Sequence, residues 1–281
     1  MNKEKLNRIR PLIGLIIFSV LISFASPRFL TKSNLLNVFR QTSINAIIAA
    51  GMTFVILTGG IDLSVGSILG FSGAIAAGLL AGGVNIFFAI VAALIIGAVA
   101  GMFNGIIITK GKVQPFIATL AMMILLRGAT LVYTSGRPIP VPAATTSPIF
   151  RKIGAGYIAG IPIPIFIMAI IFLVCYLVLT QSKFGRHLYA VGGNEKAAKL
   201  SGINTDRIKV LAYTISGILA SVAGLIVTSR LSSAQPTAGD GYELDAIAAV
   251  VLGGTSLVGG QGSILGTIIG ALIIGILNNA L

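Results

Sequence analysis

From Gln41 to Thr109 the chain carries a single charged residue, Asp62. An apolar helix of about 20 residues crosses a bilayer once, so a stretch this long holds several crossings. Gly59-Gly60 and Gly82-Gly83 divide it into spans at 42–58, 64–81 and 84–108. Of the 281 residues, 56% are hydrophobic and 10% charged, where a soluble domain has about a quarter charged. The expected fold is all-α: one polytopic transmembrane helical bundle over 1–281.

A net charge of +13 in a soluble protein would point to nucleic acid. Here Lys and Arg collect between apolar runs, which fits anionic lipid and the positive-inside rule instead. Lys3, Lys5, Arg8 and Arg10 precede the first run and put the N-terminus in the cytoplasm. That run, 11–26, reads as an uncleaved first span, with a signal peptide cut near Ser23-Phe24-Ala25 as the alternative. Residues 27–40, with Arg28, Lys32 and Arg40 among Phe29, Leu35 and Phe39, read as an amphipathic connection at the outer interface. Lys110 and Lys112 mark a cytoplasmic turn. Further spans are expected at 113–133, 162–180, 208–228, 244–252 and 263–281, giving about nine passes. Pro138, Pro140, Pro142 and Pro148 make 134–161 an irregular outer loop. Cys175, the one cysteine, lies in an apolar run and excludes an internal disulfide framework.

The chain repeats itself. Gly66-Ser67-Ile68-Leu69-Gly70 recurs as Gly262-Ser263-Ile264-Leu265-Gly266, and Asn45-Ala46-Ile47 echoes Asp245-Ala246-Ile247 upstream. Each upstream segment runs into a double glycine, at 59–60 and at 253–254. Duplicated halves with broken helices are a common transporter plan. Gly97, Gly101 and Gly105, and likewise Gly262, Gly266 and Gly270, form small-residue stripes that let helices approach closely. They serve packing within one subunit or, alternatively, a subunit interface around a pore.

Between two apolar runs lies a polar island, 181–209, holding the sole histidine, His187. Its centre predicts a short helix over 194–203. Asn194 caps the free N–H groups of the first turn, Glu195 suits the positive helix end, Lys199 suits the negative end, and Gly202 closes it. A charged, well-capped helix between membrane spans is a docking element for something soluble.

Catalysis finds no support. His187 stands alone, no carboxylate pair shares a span, and no Gly-x-x-x-x-Gly-Lys-Ser/Thr motif is present for ATP. Asp62 is an acid at membrane depth, a functional position by default, or else a cap for the next helix. Arg127 falls inside a span and needs a partner or a wet cavity. For a neutral polar ligand the candidate path residues are Gln41, Asn45, Asp62, Asn104, Gln114, Thr119 and Arg127, with Thr42 and Ser43 beside them. Arg230, Asp240, Glu243 and Asp245 gather around an outer loop and are candidates for docking an external partner, with plain solvated helix-end charges as the alternative.

Gly60-Ile61-Asp62-Leu63-Ser64-Val65-Gly66-Ser67, Gly192-Gly193-Asn194-Glu195-x-Ala197-Ala198-x-Leu200-Ser201-Gly202-Ile203 and the longer stretch from Arg230 to Leu257 resemble the membrane permeases of bacterial sugar importers of the ABC type. With Phe116-Ile117-Ala118-Thr119-Leu120 and Leu126-Arg127-Gly128, the similarity is greatest to the ribose-transporting branch. The resemblance implies two permease subunits around a pathway in the bacterial inner membrane. It implies a periplasmic or lipid-anchored sugar-binding protein outside and an ATP-binding subunit in the cytoplasm. It implies neither a cofactor nor enzymatic activity in the permease itself. Gly193, Asn194, Glu195, Ala197, Ala198, Leu200 and Gly202 would then couple the pathway to the ATPase. Family members continue with a further pass beyond the position of Leu281, so the chain reads as truncated. The rival readings are an ion-coupled secondary transporter with Asp62 as its coupling acid, and a non-transporting scaffold.

Overall fold

A computed structural model describes residues 3–25, 29–142 and 148–280. Arg28 of the expected connection and 143–147 of the expected outer loop lie outside them. Twelve helices account for the described architecture: α1 (Lys3–Ala25), α2 (Lys32–Leu57), α3 (Val65–Ala81), α4 (Ile86–Thr109), α5 (Pro115–Thr134), α6 (Pro148–Ala155), α7 (Ile163–Gln181), α8 (Lys183–Gly193), α9 (Glu195–Leu200), α10 (Thr205–Leu231), α11 (Tyr242–Leu252) and α12 (Ile264–Ala280). Four two-residue strands complete it: β1 (Ile139–Pro140) pairs antiparallel with β4 (Ser233–Ala234), and β2 (Tyr157–Ile158) with β3 (Ile161–Pro162).

Five helices, α2, α4, α5, α7 and α10, are long and apolar enough to cross a membrane. They divide into two kinds. The most apolar windows of α2 and α10 are 83% and 67% buried, whereas those of α4, α5 and α7 are each 28% buried. The first two are the core, and the other three lie at its periphery with most of each window outside the buried interior. The main apolar cluster accordingly runs along α2 and α10, through Ile47, Phe54, Leu57, Ala212 and Ala223, and takes in Leu188 and Val191 from α8.

Two expectations need correcting. Residues 32–40 are not a separate connection but the first turns of α2, which Thr31 starts by accepting from the Asn34 amide. The charges of Lys32 and Arg40 are carried at the end of a helix about 39 Å long, beyond what the hydrocarbon core of about 30 Å has to cover. The 244–252 span is α11, whose 11 residues reach only about 16 Å. It is a half-helix and not a crossing.

Both upstream segments of the repeat end the same way. Gly59 and Gly254 adopt left-handed backbone conformations, with φ of 78° and 86°. This lets Gly60 N–H reach the Val55 carbonyl at 3.2 Å, and Thr255 N–H the Val250 carbonyl at 3.2 Å. These double-bonded closures satisfy helix-end carbonyls that would otherwise be bare. A break follows, at 58–64 and at 253–263, and then α3 or α12. The repeat is therefore helix, break, helix in both halves. The two matched residues Asn45 and Asp245 meet, the Asn45 amide donating to the Asp245 carboxylate at 3.0 Å.

The glycine stripes pack helices within the subunit. A Cβ at Gly105 would stand 2.6 Å from the Val210 Cα, and one at Gly97 or Gly101 would overlap the backbone of α10. Gly266 and Gly270 press likewise on α11. The expected outer loop is less irregular than its prolines imply. Besides β1, it holds α6, tied to α10 where Ser229 Oγ donates to the Phe150 carbonyl at 2.5 Å and accepts from Gly154 N–H at 2.7 Å.

Candidate functional site

The polar island folds as α8 followed by α9. Asn194 serves both, closing α8 through its amide to the Ala190 carbonyl at 3.1 Å and opening α9 by accepting from Ala197 N–H at 3.0 Å. At the far end Gly202 N–H reaches the Lys199 carbonyl and Ile203 N–H the Ala198 carbonyl, both at 3.1 Å, with Gly202 at φ 83°. The cap and stop read from the sequence are both present. Ala198 is buried and roots α9, while Glu195, Lys196, Ala197 and Lys199 face outward. Leu200 is 90% exposed, although a leucine gains about 2 kcal/mol from burial.

Three features of this end were not read from the sequence. α8 is a helix of 11 residues, amphipathic, with Leu188 and Val191 buried. Its Tyr189 hydroxyl donates to the Gly262 carbonyl at 3.0 Å, and burial pushes that phenol above its ordinary range, so it stays a donor. Glu195 is bound to Lys209 of α10 at 2.7 Å, and Lys110 to Asp206 at 3.2 Å. Glu195, Asp206, Lys209, Lys112 and Gln114 line a cleft of about 310 Å³ between α9, the start of α10 and the turn from α4 to α5. An apolar face recurring over 184–191 is the signal that would have found α8.

Asp62 sits in the first break, fully buried. One carboxylate oxygen accepts from the Ser64 amide at 3.0 Å and the Ser64 hydroxyl at 2.6 Å; the other accepts from Ser216 Oγ at 2.9 Å. Asn104 donates to Ser64 Oγ at 2.9 Å. Thr119 is also buried and spends its hydroxyl on the Pro115 carbonyl. Asp62 does not cap α3, whose first turn takes no side-chain bond from Ser64. It holds the break to α4 and α10. Thus Asp62, Asn104 and Thr119 share the interior, while Gln41 and Gln114 are exposed and Asn45 is bound to Asp245.

Arg127 finds its partner across the chain. Its guanidinium pairs with Asp240 and donates to the Ala238 carbonyl at 3.0 Å. Glu243 lies against the start of α3, where a Cβ at Gly66 would be 2.5 Å from its carboxylate. The expected outer group is therefore divided. Asp240 and Glu243 belong with Arg127 and α3, Asp245 with Asn45 and Asn278, and half-buried Arg230 with Arg40 and Tyr242.

The family described as "branched-chain amino acid transport system, permease component" matches residues 34–281. The chain belongs to this permease family. Among its relatives is the ribose import permease protein of Haemophilus influenzae, 58% identical over 97% of this chain and 84% of the relative. That of Bacillus subtilis is 56% identical over 98% and 85%. The D-allose transport system permease protein of Escherichia coli is 38% identical over 95% and 81%. No solved structure matches this permease. Its apolar helices and these relatives make it a multi-pass membrane protein.

Proposed function

We propose that the chain is the membrane-spanning subunit of an ATP-driven importer of ribose, acting in the bacterial inner membrane with its N-terminus in the cytoplasm. Identity of 55–58% to ribose import permeases of three bacteria supports the sugar, since the D-allose and xylose permeases stand at 38% and 34%. One observation carries the coupling: Leu200, fully extended into solvent on a helix rooted by Ala198 and braced by Glu195 to α10. An exposed apolar anchor on a rigid mount is what a partner's pocket needs.

In this reading a separate cytoplasmic subunit binds and hydrolyses ATP and receives α9, with Gly193, Asn194, Glu195, Ala197, Ala198, Leu200 and Gly202 forming or shaping the contact. A periplasmic or lipid-anchored sugar-binding protein delivers ribose to the opposite end, where Arg230, Asp240 and Glu243 are the docking candidates. A second copy of the chain completes the pathway. Its polar lining draws on Gln41, Gln114 and Arg127, which retain exposed surface. The permease orients and moves the sugar without chemistry of its own. Co-purification from the native membrane tests this, with an ATP-binding subunit at equal stoichiometry expected. Leu200→Asp should lower its retention about tenfold or more. Retention equal to that of the unmodified chain would remove α9 from the interface. Labelled ribose, allose and xylose, offered in turn to the assembled system, test the sugar.

A further inference from the structure

α8 touches both helix breaks at once. A Cβ at Gly192 would overlap the Leu57 carbonyl oxygen, at the end of α2, and the Gly260 amide nitrogen, in the second break. A Cβ at Gly260 would stand 2.7 Å from the Gly193 nitrogen, and one at Gly259 2.8 Å from the Gly59 nitrogen. Three backbones thus lie in contact with no side chain between them. The Gly260 amide donates to the Leu57 carbonyl at 3.0 Å, joining the two breaks. The Tyr189 hydroxyl reaches the Gly262 carbonyl at 3.0 Å, and Leu188 and Val191 are sunk in the same core as Leu57. At this same C-terminal end α8 passes into α9 through Asn194 alone.

We propose that α8 is a strut that carries displacement of α9 into both helix breaks of the repeat together, with Tyr189 and Gly192 as its positioning residues. This rests on α9 being the docking helix. Close-packed backbone does not compress, so a push on α9 moves the Gly192 contact as a unit and cannot be absorbed by a flexible spacer. Both breaks receive the same displacement because both bear on the same turn of α8. An ordinary loop between spans would lack that property.

The test uses the complete assembly in proteoliposomes, with binding protein, labelled ribose and ATP. Retention of the ATP-binding subunit, ATP hydrolysis and ribose moved per ATP are measured together. Tyr189→Phe removes one hydrogen bond and keeps the ring. It should lower ribose moved per ATP about fivefold, with partner retention and hydrolysis kept. Gly192→Ala, which forces the backbones apart, should lower it about tenfold or more. If Gly192→Ala fails to insert, Tyr189→Phe still decides. Unchanged ribose per ATP in Tyr189→Phe, beside a working unmodified chain, overturns the strut alone. An unmodified chain that retains no ATP-binding subunit overturns the docking helix and the strut with it.

Discussion

The two helix breaks occupy matched places in the repeat and are held in opposite ways. The first, 58–64, is sealed: Leu63 is 8% exposed, and Asp62 is bonded to Ser64 and to Ser216 of α10. The second, 253–263, is open, with Val258 85% exposed. It has no acid, and its bonds run through backbone: Ser256 N–H to the Gln261 carbonyl, Gly260 N–H to the Leu57 carbonyl, and the Gly262 carbonyl to Tyr189. A buried carboxylate is costly unless fully bonded, so the first break is fixed to the bundle interior. The second is fixed only to its neighbours at the α8 end. Duplication supplied the same backbone plan twice, and side chains tied one copy to the bundle interior while the other is bonded mainly through backbone.

Substitutions on the two sides break or sharpen that contrast. Asp62→Ala strips the acceptor from three buried donors. At about 1 kcal/mol or more for each, a loss of about 3 kcal/mol or more is expected, read as a lowered melting temperature in detergent. A melt like that of the unmodified chain would dissolve the contrast. Ser216→Ala removes a single bond from the same carboxylate and should lower stability by about 1–2 kcal/mol. Glu195→Ala breaks the partly exposed pair with Lys209, which is worth about 1 kcal/mol at most in water. The melt should barely move, while looser mounting of α9 lowers uptake. Thr255→Val in the second break should change stability by about 0.5 kcal/mol or less, because the Thr255 hydroxyl is buried without a partner and nothing bonded is lost. A large loss there would show that the second break, too, is a polar anchor.

Much of the architecture was legible because it is local. The apolar runs, the double glycines and the cap and stop of α9 all depend on residues within about one turn of each other, and spacing encodes them directly. What escaped was length and depth. α11 read as a crossing because apolarity says that a segment avoids water and not how far it goes. Asp62 read as a cap or a coupling acid because Ser216, its other partner, lies 154 positions away. Arg127 and Asp240 stood in separate groups, one in a span and one in an outer loop, until the loop folded down along α3.

By itself the sequence determined a membrane-embedded, duplicated helical protein with a capped, charged helix between its apolar runs. Composition, periodicity and caps act over a few residues and need no tertiary contact to be read. The tertiary structure alone decided that Asp62 is a bolt between helices, that Arg127 meets Asp240, and that Gly192 lies against both breaks. Those pairings depend on how whole helices are set against one another. That setting is fixed where glycine lets backbones touch and where a buried polar group must find its partner.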